Sequence, residues 1–169
     1  MTNLAIILIL LISIITDLRN RKVLNIVTLP AILIALIYHT VITGFEGFAF
    51  SSLGFLVGLG LLFIPFILGG IGAGDVKLLA AVGAWKGTMF VLYTGVFAGV
   101  IGGIIALLIL LKRKQLGSTL KNMVFSFVFL KGNKGSLQLP ADTHNPVSIP
   151  YAVPIALGAL AAYLVGGNL

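Results

Sequence analysis

Cysteine is absent from the chain, which excludes disulfides, thiolate catalysis and cysteine-ligated zinc and leaves the redox compartment unread. Charge is scarce too, with 11 Lys or Arg and only 4 Asp or Glu among 169 residues. Charged residues make up 9% of the chain, against roughly 25% in an ordinary soluble domain. In their place stand 59% hydrophobic residues and a mean hydropathy of +1.18. A water-soluble globule of this size has too little interior to hide that much apolar surface, so the chain reads as an integral membrane protein. The net charge of +7 does not read as a nucleic-acid surface, because the basic residues fall in short stretches between apolar runs, where they act as topology signals.

The N-terminal run Met1–Ile15 is apolar, but no Lys or Arg precedes Leu4 and no small-x-small cleavage site precedes Asp17. It therefore reads as a retained first helix and not as a signal peptide. The apolar runs predict an all-α, polytopic chain of about six spans, near Leu4–Ile15, Val27–Ile42, Phe50–Leu68, Val76–Trp85, Met89–Leu111 and Val147–Val165. They are too long and too uniformly apolar for barrel strands, which alternate. Glycines punctuate them at 44 and 47, at 69, 70, 72 and 74, and at 87. The whole of 1–169 reads as one membrane-embedded domain. Its long hydrophilic stretch, 112–146, is a loop between the fifth and sixth helices, and Met123–Leu130 within it has the pattern of a surface-lying amphipathic helix.

With the first helix starting outside, Arg19, Arg21, Lys22, Lys77, Lys112, Arg113, Lys114, Lys121, Lys131 and Lys134 all fall on the cytoplasmic side and only Lys86 falls opposite. The positive-inside rule then predicts an N-terminus outside and the long loop in the cytosol.

Of the four acids, Glu46 is expected in an outer loop and Asp142 in the cytosolic segment, both solvated. Asp17 and Asp75 are different. Leu4 to Asp17 rises only roughly 20 Å, within a hydrocarbon core of about 30 Å, so Asp17 need not have cleared it. Val76–Trp85 makes a helix of only about 15 Å, with Trp85 and Lys86 as outer-interface anchors. Its start, Gly74-Asp75, then lies below the cytoplasmic surface, in glycine-rich backbone that survives at such depth only in a protein-buried or wet cavity. Pro65 loosens the preceding helix at similar depth.

An intramembrane acid is a functional candidate by default. Two facing carboxylates do not both ionise easily, so the pair shares a proton and supplies a base to activate water and an acid to protonate a leaving amine. Depth and pairing alone leave three readings open: helix caps, a proton- or ion-coupled transport relay, and aspartic peptide hydrolysis.

The segment Gly72-Ala73-Gly74-Asp75-Val76-Lys77-Leu78-Leu79 resembles the GxGD signature, GxGDxKL, of type IV prepilin peptidases. The run from Asp17 through Arg19, Arg21 and Lys22 to Pro30 is similar to that family's first aspartate motif, and Ile149-Pro150-Tyr151 resembles its opening of the last helix. Leu24 stands where the family usually has proline. The resemblance implies an intramembrane aspartic endopeptidase of the bacterial cell membrane that removes the short basic leader from prepilins or pseudopilins at the cytoplasmic face. It implies Asp17 and Asp75 as the catalytic pair, with Gly72 and Gly74 shaping the loop that presents Asp75. Lys77 matches the family's lysine; two residues from Asp75, it is off that residue's helix face and reads as an interfacial lysine.

With no cysteine-bearing segment before the first helix, the chain looks like the short, peptidase-only form found with Flp/Tad-type pili and some competence systems. N-methylation of the product would then belong to another protein. A presenilin-like protease shares GxGD, but Thr16 and not Tyr precedes Asp17.

No cofactor or metal is expected. His39 and His144 are isolated from other ligand types, and the glycines at 69–74 are not followed by the Lys-Ser/Thr of a phosphate loop. Gly95, Gly99 and Gly103 repeat at four-residue spacing, which fits close packing within the chain ahead of a homodimer seam. The expected partners are the lipid bilayer and a prepilin.

Overall fold

The computed structural model describes residues 2–20, 23–67, 70–112 and 151–166. The expected surface helix Met123–Leu130, most of the 112–146 loop, Asp142, His144, Arg21, Lys22 and Gly69 lie outside them. The regular elements among the described residues are all helices, with no strand: α1 (Thr2–Asn20), α2 (Asn25–Thr43), α3 (Phe45–Ile67), α4 (Ala73–Lys112) and α5 (Ala152–Val165). Four of these, α1 to α4, are long and apolar enough to cross a membrane, while α5 is a shorter apolar helix. The chain divides into two units, Met1–Gly102 with Pro150–Leu169, and Gly103–Ile149. Only residues 103–112, the end of α4, are described in the second.

Helix α4 is two helices, because Gly87 has φ 82° and ψ −178° and interrupts it. The flanking contacts show a hairpin. A Cβ on Gly83 would lie 3.3 Å from Val91 Cγ1, and one on Gly95 would lie 3.6 Å from Leu79 Cδ2. In a straight helix residues 79 and 95 would be about 24 Å apart. Within the larger unit the arms 73–86 and 88–102 therefore run antiparallel about Gly87. A positive φ favours glycine, and the Phe50 ring fills the space a side chain at 87 would need.

The first arm is the core of the larger unit. Leu78, Leu79, Ala80, Ala81, Val82 and Ala84 are fully buried, and Val76 and Trp85 nearly so. Helix α3 lies antiparallel along it through small residues. Ser51 Oγ donates to the Ala84 carbonyl at 2.8 Å, the Gly54 and Gly83 backbones meet directly, and Gly58 rests on Leu79 and Ala80. Helix α2 runs parallel to the same arm, tied by Trp85 Nε1 donating to Ala31 O at 3.0 Å and by Lys77 Nζ donating to Asn25 Oδ1 at 2.9 Å. Helix α5 lies antiparallel to the second arm: Gly158 faces Thr94 and Ala98, Tyr151 faces Gly102, and Tyr163 stacks edgewise on Phe90. Outward faces carry large apolar side chains such as Ile7, Leu11, Leu33, Ile37, Leu56, Ile64, Val96 and Leu160, as lipid contact requires.

Several boundaries differ from the sequence expectation. Glu46 is not in a loop but in the first turn of α3. Gly44, at φ 65°, turns the chain in one residue, and the acid faces the positive end of the helix it opens. Gly47 belongs to α3 as well, pressed against the His39 carbonyl. Helix α1 runs past Ile15 to Asn20, and α5 opens at Ala152, the expected start at Val147 lying outside the described residues. Close packing of the Gly95, Gly99, Gly103 series is realised at Gly95, against Leu61, whereas Gly99 and Gly103 have open space around them.

Adding a methyl group where two backbones touch forces them apart. Gly54→Ala is expected to destabilise the protein by about 1–3 kcal/mol or more, read as a lower melting temperature in detergent. Gly60→Ala, on the same helix with open space around it, is expected to be neutral.

Candidate active site

The buried positions of α1 are Ile6, Ile9, Leu10, Ser13 and Asp17, a stripe at helical spacing. Asp17 is the next position of an apolar face and so turns inward by register, with 5% of its surface exposed. Asp75 is the third residue of α4 and 8% exposed. The two carboxylates are close enough for their charges to interact, and Tyr151 lies within the same reach of Asp75. Both acids thus lie buried toward the end of the core arm away from Trp85.

Glycine is required in the Gly72–Gly74 turn for space and not for a left-handed backbone. Among the described residues only Gly44 and Gly87 have positive φ, so Gly70, Gly72 and Gly74 make no left-handed turn. Gly72 accepts from the amides of Asp75 (3.1 Å) and Val76 (3.4 Å), closing the first turn of α4. A Cβ on Gly72 would lie 3.1 Å from Asp75 Oδ2, which turns back over that residue as the acid of a capping box does. A Cβ on Gly74 would lie 2.9 Å from Val23 Cβ and 3.2 Å from Val23 O. Val23 belongs to the connector that follows the helix of Asp17, so the bareness of Gly74 lets the two acid-bearing segments approach.

Lys77 forms no partnership with Asp75; its hydrogen bond to Asn25 ties the first turn of α4 to the first residue of α2. Asn25 was not singled out by the sequence, where only its closeness to the basic run marked it. A second feature escaped sequence reasoning. The backbone amide of Ala152, at the start of α5, donates to Asp17 Oδ2 at 3.1 Å across 135 positions of chain. Helix N-termini leave amides without helical partners, and Tyr151, the N-cap residue, supplies no side-chain acceptor. The absence of Ser, Thr, Asp or Asn at that position was the one available hint.

Both aspartates therefore serve as caps, Asp75 for its own helix and Asp17 for a distant one, yet capping does not use all their oxygens. Among the described residues, Asp75 Oδ1 is buried with no hydrogen-bond partner, and so are the hydroxyls of Ser13, one turn before Asp17 on the same face, and of Thr28. A buried polar atom without a partner is costly, and the Asp75 oxygen is one that water or a polar substrate group would satisfy. His39, at the other end of the core arm, pairs with the Trp85 carbonyl at 3.2 Å among Tyr38, Phe50 and Trp85 rings. Among the described residues no three His, Cys, Asp or Glu side chains gather.

Because Gly74 meets the Val23 backbone while Gly70 has only an ordinary contact with the Pro65 carbonyl, Gly74→Ala is expected to cost about 1–3 kcal/mol and Gly70→Ala much less. Thermal melting of the two variants in one detergent measures the difference.

Neither a curated protein nor a solved structure matches the chain. The model of the type IV leader peptidase family matches residues 4–107, a span that holds Asp17, the Gly72–Gly74 turn, Asp75 and Lys77. With more than half its length matched, the chain belongs to the type IV leader peptidase family.

Proposed function

We propose that this protein is an intramembrane aspartic endopeptidase that cuts the short basic leader from prepilins or pseudopilins at the cytoplasmic face of a bacterial cell membrane, with Asp17 and Asp75 as its catalytic pair. The observation that carries the reading is two buried carboxylates on segments that meet where Gly74 touches Val23, in a chain of a leader peptidase family. In the proposed reaction one carboxylate takes a proton from water as the water oxygen bonds to the scissile carbonyl carbon. The other carboxyl gives its proton to the amide nitrogen as the C–N bond breaks, and the pair returns to one shared proton. The unpartnered Asp75 Oδ1 is an oxygen free to take part in these transfers.

The same proposal includes six spans with the N-terminus outside: α1, α2, α3, the two arms of α4, and α5. The basic residues then keep their cytoplasmic bias, and the acid pair lies near the cytoplasmic ends of its helices. The first arm, residues 73–86, is only about 21 Å long, which keeps Asp75 below the membrane surface on this topology.

Asparagine at position 17 retains an acceptor for the Ala152 amide, so Asp17→Asn separates capping from chemistry. Asp17→Asn and Asp75→Asn are each expected to lower cleavage of a prepilin with a short basic leader by a factor of 10³ or more, on the order of losing a general acid or base. Both proteins should still insert in the membrane, and Glu46→Gln should cleave normally. Membranes containing each variant are mixed with the prepilin and leader loss is followed by mass. Cleavage near the wild-type rate by either Asn variant overturns the pair; proton or ion flux without cleavage of any Flp-type or competence-type prepilin overturns the peptidase reading.

Gly72→Ala is expected to lower cleavage about 10-fold or more by pushing Asp75 Oδ2 aside, since small displacements of a catalytic group are expensive. A rate within twofold of wild type in the same assay would show that the turn does not position the acid.

A further inference from the structure

Helix α5 begins with an unusual set of backbone groups. Pro154 has no N–H, and the Ile155 amide donates to the Tyr151 carbonyl at 3.2 Å. That leaves the amides of Ala152 and Val153 at the open end of the helix, and the Ala152 amide meets Asp17 Oδ2 at 3.1 Å. The bond has a narrow tolerance, because a shift of the first turn by a few tenths of an ångström takes it out of hydrogen-bonding range.

Tyr151 stands immediately before that turn. Its ring lies on the bare backbone of Gly102 in the second arm of α4, where a Cβ would be 2.8 Å from Cε2, 3.1 Å from the hydroxyl oxygen and 3.2 Å from Cζ. The hydroxyl reaches only the Ala98 carbonyl, at 3.5 Å, the weak limit of a hydrogen bond. The seat is therefore made by the ring. Further along, Gly158 holds α5 against Thr94 and Ala98 independently, so the ring on Gly102 governs the first turn and not the helix as a whole.

We propose that Tyr151 is a positioning residue, whose ring seated on Gly102 sets the start of α5 so that the Ala152 amide holds the Asp17 carboxylate in its working orientation. The inference rests on the reading of Asp17 as catalytic for its consequence in turnover, but the coupling of Tyr151 to Asp17 is a property of the fold and is measured without activity.

The first arm of the test is a melting cycle on the full chain in detergent, with Asp17→Ala, Tyr151→Ala and the double variant. Asp17→Ala removes the cap of α5 and is expected to lower the melting temperature. In the Tyr151→Ala background, where the turn has already left its seat, the same change is expected to cost nothing further, since contacts that share one cause are not additive. Additive losses overturn the proposal, whatever the protein cleaves.

The second arm is prepilin cleavage. Tyr151→Ala is expected to lower kcat about 10- to 100-fold, the scale of a misplaced catalytic group, with KM little changed, while Tyr151→Phe restores near wild-type turnover. Gly102→Ala, which pushes on the ring, is expected to lower kcat, Gly99→Ala in open space on the same arm is not, and Gly102→Ala has no further effect once Tyr151→Ala is present. Three outcomes overturn the proposal: a folded Tyr151→Phe as slow as Tyr151→Ala, a rise in KM at constant kcat, or wild-type turnover by Gly102→Ala. If Tyr151→Ala fails to insert, the comparison of Gly102→Ala with Gly99→Ala decides alone. Wild-type protein that cleaves no prepilin overturns the proposed function instead, and the melting cycle still decides the coupling.

Discussion

One helix buried on every side organises the rest of this protein. The first arm of α4 is short and made mostly of Leu, Ala, Val and Gly, with almost no surface left exposed. Lipid is as apolar as leucine, so burial alone gives little drive for helices to associate in a membrane; close backbone packing must supply it. Here it comes from Gly54 on Gly83, Gly58 on Leu79 and Ala80, and the fold-back at Gly87. A helix enclosed in this way carries its first turn into the interior, and that turn holds Asp75. The depth of the acid is thus a consequence of how little room the small residues leave around the arm.

Asp17 reaches the same region by a different cause. It continues the buried stripe of α1 and is held by a backbone amide from the far end of the chain. A buried carboxylate without donors is expensive, and the open end of a helix offers both an N–H and the positive end of the helix dipole. The need of α5 for an acceptor and the need of Asp17 for a donor are met by one bond. Asp75 meets its own need only in part, through the turn over Gly72, and keeps one oxygen unpartnered. Capping and chemistry are compatible because a carboxylate has more lone pairs than a cap uses.

The spacing of glycine and acid at 72–75 acquires a physical meaning in this arrangement. Gly72 leaves room for the carboxylate oxygen, and Gly74 leaves room for the connector after the other acid. Neither needs an unusual backbone conformation. Lys77 then fastens the turn to α2 through Asn25, so the lysine works on the position of a helix and not on the charge of its neighbour.

Much of this was legible in the residues alone. The scarcity of charge set the membrane class and the apolar runs set the helices, because each helix in lipid must satisfy its own backbone. Rise per residue placed Asp17 and Asp75 too deep for ordinary surface acids, and the Gly-x-Gly-Asp pattern singled out the turn. What the residues left undecided concerns contacts between segments far apart in sequence. Glu46 was read as a loop residue because a one-residue turn at Gly44 is indistinguishable in composition from a longer loop. The glycines before Asp75 suggest both special turns and a close approach of chain; only the fold shows that the approach is the reason at Gly74, where Val23 is the neighbour, and that the left-handed turns are not made. The amide of Ala152 carries no side-chain signature at all, so no pattern could pair it with Asp17. Local composition determined which segments are helices and which acids to suspect; only tertiary packing decided that the opening of the last helix holds the first acid, because a backbone donor has no letter in the sequence.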